Sequence, residues 1–69
     1  MPFHSNADLP KGVRNHLPQH AQTIWRKAYN NAYERYDGEE TRSAKIAWAA
    51  VKKDYEKTNS GQWKRKVEG

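Results

Sequence analysis

PQHAQTIWRKAYNNAYERYDGEETRSAKIAWAAVKKDYEK, residues 18–57, holds the two longest periodic segments of the chain, and its reading decides the fold. At about 100° per residue, Ala21, Ile24, Trp25, Ala28, Ala32 and Tyr36 fall on one stripe. Tyr29 and Tyr33 lie on its flank, and Thr23, Lys27, Asn30 and Glu34 lie opposite. That spacing predicts an amphipathic helix from Pro18 to Tyr36. Asp37-Gly38 ends it, with Gly38 suited to the left-handed position just beyond a helix. A further helix is expected from Glu40 to Lys57, opened by Glu39 and Glu40, whose charge favours the N-terminal end of the helix dipole. Ala44, Ala47, Trp48, Val51 and Tyr55 form its apolar stripe, while Ile46 and Ala50 point to a second side. The middle of this helix is therefore expected to be covered twice, by the preceding helix and by another part of the chain. Its third side, around Ala49, carries Arg42, Lys45, Lys52 and Lys53 and faces solvent.

Working outward, Asp8-Leu9-Pro10 reads as a helix start, with Asp8 as N-cap and Pro10 in the first turn, where its missing N–H costs nothing. Val13 and Leu17 share a face and Pro18 stops the segment, so a short first helix is expected over Leu9 to His16. Downstream, Thr58-Asn59-Ser60-Gly61 reads as a turn. Residues 62–66 follow as an extended segment, and 64–69 as a mobile basic tail. Trp63 is expected to fold back onto the core against Phe3, which would bring the two ends of the chain together. The fold class is mainly α: one compact three-helix domain over residues 1–69, with a short first helix and two long ones. Its expected core is Leu9, Val13 and Leu17 from the first helix and linker, and Ala21, Ile24, Trp25, Ala28, Ala32 and Tyr36 from the second helix. Ala44, Ala47, Trp48, Val51 and Tyr55 from the third complete it, with Trp63.

Sixty-nine residues bury only about 60% of the surface that the unfolded chain exposes, so large side chains must carry the core. Cysteine is absent, which excludes disulfide staples, thiolate metal sites and thiol chemistry. The longest apolar run, Ile46 to Val51, is far below the roughly 18 residues of a membrane span. The first six residues lack the charged and apolar regions of a secretory signal, and a cytoplasmic location is expected. Net charge is +5, unevenly spread. Residues 1–41 hold five basic and five acidic groups, whereas residues 42–66 hold eight basic groups against Asp54 and Glu56. That asymmetry points to an acidic partner: a protein segment, nucleic acid or an anionic surface.

No arrangement for catalysis emerges. His4, His16 and His20 are the only imidazoles, and Pro18 interrupts the helical spacing of the last two, so no metal site is expected. Glu39 and Glu40 are adjacent in a connection, and their ordinary role is with the helix dipole. No Gly-rich phosphate loop or Ser/His/Asp set is present. The chain is expected to be no enzyme and to take no cofactor or small-molecule substrate. Aromatics among basic residues also occur in single-strand nucleic-acid platforms, but Trp25 and Tyr36 align with alanines on the core stripe. Tyr29 and Tyr33 are the aromatics expected nearer the surface. The remaining feature is charge: Arg42, Lys45, Lys52 and Lys53, with Lys64, Arg65 and Lys66, are the candidates for partner contact, to be weighed against a merely solvated lysine face.

Met1-Pro2-Phe3, Asp8-Leu9-Pro10 with Val13, and Leu17-Pro18-Gln19-His20-Ala21-Gln22 with Ile24 occur in this order. After Ala28, Asn30, Ala32 and Tyr36 comes Ala44-Lys45-Ile46-Ala47-Trp48-Ala49-Ala50-Val51-Lys52, then Tyr55. Over nearly its whole length the chain resembles the ChaB family of cation transport regulators. The resemblance implies a small, mainly helical cytoplasmic protein without catalytic residues, associated with a cation/proton antiporter through a member encoded beside one. Viral relatives imply DNA binding instead. The connection at residues 37–40 is shorter than the charged loop of some members, so the resemblance gives no support for a function residing in that loop. Two partners remain open at this point: an acidic protein partner such as a membrane cation transporter, and DNA.

Overall fold

The computed structural model describes residues 2–66. A 3₁₀ turn at Asn6–Asp8 precedes helices α1 (Lys11–His16), α2 (Gln19–Arg35) and α3 (Glu40–Asp54), and strands β1 (Tyr55–Lys57) and β2 (Trp63–Arg65) form an antiparallel pair. The mainly α, three-helix reading holds, with a small hairpin added.

Proline sets both early helix boundaries. Leu9 and Leu17 each precede a proline and are extended, at ψ 153° and 138°, because the proline ring crowds the α region of the preceding residue. Leu9 therefore cannot belong to α1, which starts two residues later than expected. Pro10 and Pro18 become the N-caps of α1 and α2, with φ already near the helical value, and their carbonyls accept the first helical N–H groups, from Arg14 at 3.0 Å and Gln22 at 2.9 Å. Asp8 caps no α-helix. It closes the 3₁₀ turn instead, its carboxylate accepting the backbone N–H groups of His4 and Ser5, each at 3.2 Å.

At the end of α2, Gly38 N–H donates to the Tyr33 carbonyl at 2.7 Å, the six-to-one bond of a Schellman ending. Asp37, not Gly38, holds the left-handed position next to the cap, with φ 55°, and Gly38 continues at φ 77°. The short connection turns α3 back along α2, and these two helices pack against each other more extensively than any other two elements among the described residues. Ala47 and Ser43, both fully buried, let them approach closely. Ser43 satisfies its hydroxyl by donating to the Glu39 carbonyl at 2.7 Å.

α3 ends at Asp54, three residues earlier than expected. Thr58 N–H donates to the Gln62 carbonyl at 2.7 Å and Gly61 N–H to the Thr58 carbonyl at 3.0 Å, with Gly61 in the left-handed region at φ 86°. This is a three-residue hairpin loop with glycine where a positive φ is required. It offers residues 55–57 strand partners that a continued helix would forgo. Trp63 thereby reaches Trp48, ring centroids 5.5 Å apart. Phe3 lies instead on Trp25 and Tyr29, at 6.0 and 5.0 Å, so these two aromatics pack on different helices. Lys64 and Arg65 are strand residues, and the Lys66 N–H extends the ladder to the Asp54 carbonyl at 2.8 Å. Positions 67–69 of the expected tail lie outside the described residues.

The core holds Leu9, Val13, Leu17, Ala21, Trp25, Ala32, Ala47, Val51 and Tyr55, all buried. Ile24, Ala28, Tyr36, Ala44, Trp48 and Trp63 are half-buried. Two expectations for α2 fail. Tyr29, assigned nearer the surface, is buried, stacked on Trp25 at 5.0 Å and flanked by Tyr33 at 6.0 Å. Asn30, assigned to the polar side, is also buried. The cause is one segment: residues 3–8 lie along that side of α2. Asn6 Nδ2 donates to Thr23 Oγ1 at 3.0 Å, and Arg26 Nε donates to Asn6 Oδ1 at 2.9 Å.

Candidate functional site

Arg42, Lys45, Lys52 and Lys53 are all exposed on α3 and span a sector of about 100° around its axis. The opposite side of the helix is fixed by the buried Ser43, Ala47 and Val51, so these cations face outward as a consequence of core packing. They are not equivalent. Arg42 lays its guanidinium over the Tyr36 ring, 4.8 Å from the centroid, a cation–π contact of about 0.5–1 kcal/mol at an exposed site. Lys52 and Lys53 sit in the last turn of α3, where they also complement the negative end of the helix dipole. Lys45 has neither attachment.

The hairpin divides the remaining cations. Alternate strand residues face opposite ways, so Lys64 and Arg65 lie on different sides. Lys64 stands directly across from Glu56 and Arg65 across from the buried Tyr55, and both cations are exposed. Lys66 is exposed. The seven expected contact residues thus form one strip on α3 and scattered positions on the hairpin. Lys57 was missed. A helix running to residue 57 left it unremarkable, whereas β1 sets it opposite Trp63. The signal was the alternation Tyr55, Lys57 and Trp63, Arg65 on either side of a glycine-containing turn.

Other candidates are plainly placed. His4, His16 and His20 are exposed; His16 Nδ1 lies 2.9 Å from the Gly12 carbonyl, and the His20 ring lies 6.4 Å from that of Tyr55. Among the described residues no group of three or more His, Asp or Glu side chains could hold a metal ion, and no helix is long and apolar enough to cross a membrane. Burial raises the phenol pKa of Tyr29, and the Glu40 carboxylate and Tyr33 push it the same way.

A sequence model of the family ChaB matches residues 9–66, from the residue before Pro10 to the end of the described hairpin. The chain belongs to the ChaB family. It is 39% identical to the "Putative cation transport regulator ChaB" of Escherichia coli strain K12, an alignment covering 96% of this chain and 99% of that one. The "Putative cation transport regulator ChaB" of Shigella flexneri matches to the same extent. An NMR solution structure of a protein so named superposes with a TM-score of 0.85 at 39% identity, over 96% of this chain and 100% of that chain. In this ChaB-family chain, the sequence blocks that carry the resemblance serve the fold. Ala21 is fully buried, and Gln22 Nε2 donates to the Leu17 carbonyl at 2.8 Å, capping the end of α1. Ala47 and Val51 of the second block are likewise fully buried.

Proposed function

We propose that this protein regulates cation transport without catalysing a reaction, by holding an acidic cytoplasmic segment of a cation transporter against the basic strip of α3. The observation that carries the reading is the 39% identity, over 96% of the chain, to proteins named for cation transport regulation. The outward strip of Arg42, Lys45, Lys52 and Lys53 supports the manner of contact. Its charges are desolvated only on binding, so they contribute more to partner choice and encounter rate than to raw affinity.

The test is a gene deletion complemented with wild-type protein or with the double reversal Lys52→Glu/Lys53→Glu. Wild type should restore cation/proton antiport and salt tolerance and capture the transporter in crosslinking. The double variant should do neither, at a stability cost of roughly 1–4 kcal/mol, because two favourable dipole contacts become unfavourable ones. Unchanged antiport on deletion, with no transporter captured, defeats the proposal. Duplex DNA is the alternative occupant, favoured by the charge excess of residues 42–66. It would bind without sequence preference, at about 10⁻⁴–10⁻⁶ M and with a steep salt dependence. A fluorescence titration over a salt series separates the two readings.

A further inference from the structure

α1, α3 and the hairpin leave between them an open cleft of about 450 Å³. Pro10 and Val13 wall it on one side and the indoles of Trp48 and Trp63 on the other; the exposed Lys52 and Lys57 line it as well. The size lies within the roughly 300–1,000 Å³ of small ligand sites. A third indole, Trp25, is only 2% exposed, whereas Trp48 and Trp63 remain half-covered although they touch each other. A small domain leaves some aromatic surface open simply for want of chain. The charge around this surface distinguishes it: two lysines line the cleft, and no carboxylate is among its lining residues.

We infer that the cleft anchors a bulky apolar side chain from an acidic peptide segment of a partner, with carboxylates on either side of the anchor meeting Lys52 and Lys57. An aromatic or leucine side chain covers the open indole surface, and its acidic neighbours neutralise the lysines, so both unsatisfied features are met by one ligand. Buried aromatic anchors flanked by charge are where binding energy concentrates in protein interfaces. A second copy of this chain suits the cleft poorly, because a two-fold contact would set Lys52 and Lys57 near their own equivalents. Nucleic acid suits it poorly as well. Two lysines neutralise few phosphates, and counterion release scales with their number. The inference rests on the reading above that the basic side of the protein meets an acidic protein segment. The transport assay tests that reading, and the titration below tests this one.

The probe is a synthetic eight-residue peptide with a central Leu-Phe pair and three glutamates on each side, added to the full chain. Indole N–H signals are followed by NMR, and protein fluorescence is followed in parallel. The peptide should shift the Trp48 and Trp63 signals and leave that of Trp25 nearly still. Replacing its glutamates by glutamine, or its Leu-Phe pair by two serines, should each weaken binding about tenfold or more. Lys57→Glu should do the same at an unchanged melting temperature, and Lys27→Glu, on α2, should have little effect. Each of three results overturns the inference: no shift of these indoles up to about 1 mM peptide, equal binding of the serine peptide, or Trp48 and Trp63 signals that respond to duplex DNA or self-association but not to the peptide.

Discussion

Asn30 stands where helical spacing alone puts solvent, yet it is 5% exposed, because its amide is used twice on one residue. Nδ2 donates to the Phe3 carbonyl at 2.8 Å, and Oδ1 accepts the Phe3 N–H at 3.1 Å. The side chain thus completes the backbone of Phe3 as a neighbouring strand would, and it holds the Phe3 ring against Trp25 and Tyr29. Asn30→Ala leaves both part-buried backbone groups of Phe3 without a protein partner, at a cost of about 1 kcal/mol, the low end for a lost partner because water reaches them in part. The melting temperature should fall accordingly, and the Phe3 amide should lose its protection from hydrogen exchange. Tyr29, beside it, gives a pH prediction. Its phenol pKa is raised, chiefly by burial, so the folded state holds this proton more tightly than the unfolded chain. The associated stability is full below the ordinary tyrosine pKa of about 10 and is lost as pH rises through the folded value. Tyr29→Phe should therefore flatten the alkaline limb of a plot of melting temperature against pH. An identical limb in the variant would place the titrating group elsewhere.

Each helix owes its boundaries to a local rule and its persistence to packing. The left-handed ending of α2 is a case in point. Gly38 has φ 77°, and a Cβ built there would lie 3.2 Å from the Tyr33 ring. Gly38→Ala should cost on the order of 1–2 kcal/mol from the backbone alone, visible in thermal unfolding. Trp48 tests the packing of α3 under the hairpin. It meets Trp25 edge-on at 6.0 Å and Trp63 at 5.5 Å. Because it is only half-buried, Trp48→Ala should fall at the low end of the range for such truncations, about 3 kcal/mol. A near-native melting temperature would show that α3 is held without it. The helices were legible in sequence because a period of 3.6 is a local signal, and Leu9-Pro10 and Leu17-Pro18 punctuate it. Asn30 and Tyr29 were not, since their burial depends on the segment around Phe3, which bonds Asn30 from 27 positions away. The hairpin was half legible: its turn was plain, but Tyr55 also continued the helical stripe, and only pairing with β2 decides between the two.

Across the whole molecule, the charge excess of residues 42–66 is arranged against stability at one place. Arg42 and Lys45 are three residues apart on α3, neighbours on its outer surface, and like charges at that spacing cost roughly 0.2–0.5 kcal/mol. Lys45 lies mid-helix, so the dipole returns nothing to it, unlike Lys52 and Lys53. The exposed strip could be foreseen, because the apolar stripe fixes which side of α3 remains free; the cleft beside it could not, since Val13, Trp48, Lys57 and Trp63 come from four separate elements, α1, α3, β1 and β2. Lys45→Glu separates the two roles of the strip. It turns a repulsion with Arg42 into an attraction and should raise stability by a few tenths of a kcal/mol to about 1 kcal/mol at low salt, an increase that fades as salt screens the pair. The same substitution should weaken capture of the acidic partner. Stability and binding moving in opposite directions identifies a surface kept for a partner, whereas a loss of stability would mean that Lys45 is held by carboxylates of its own chain.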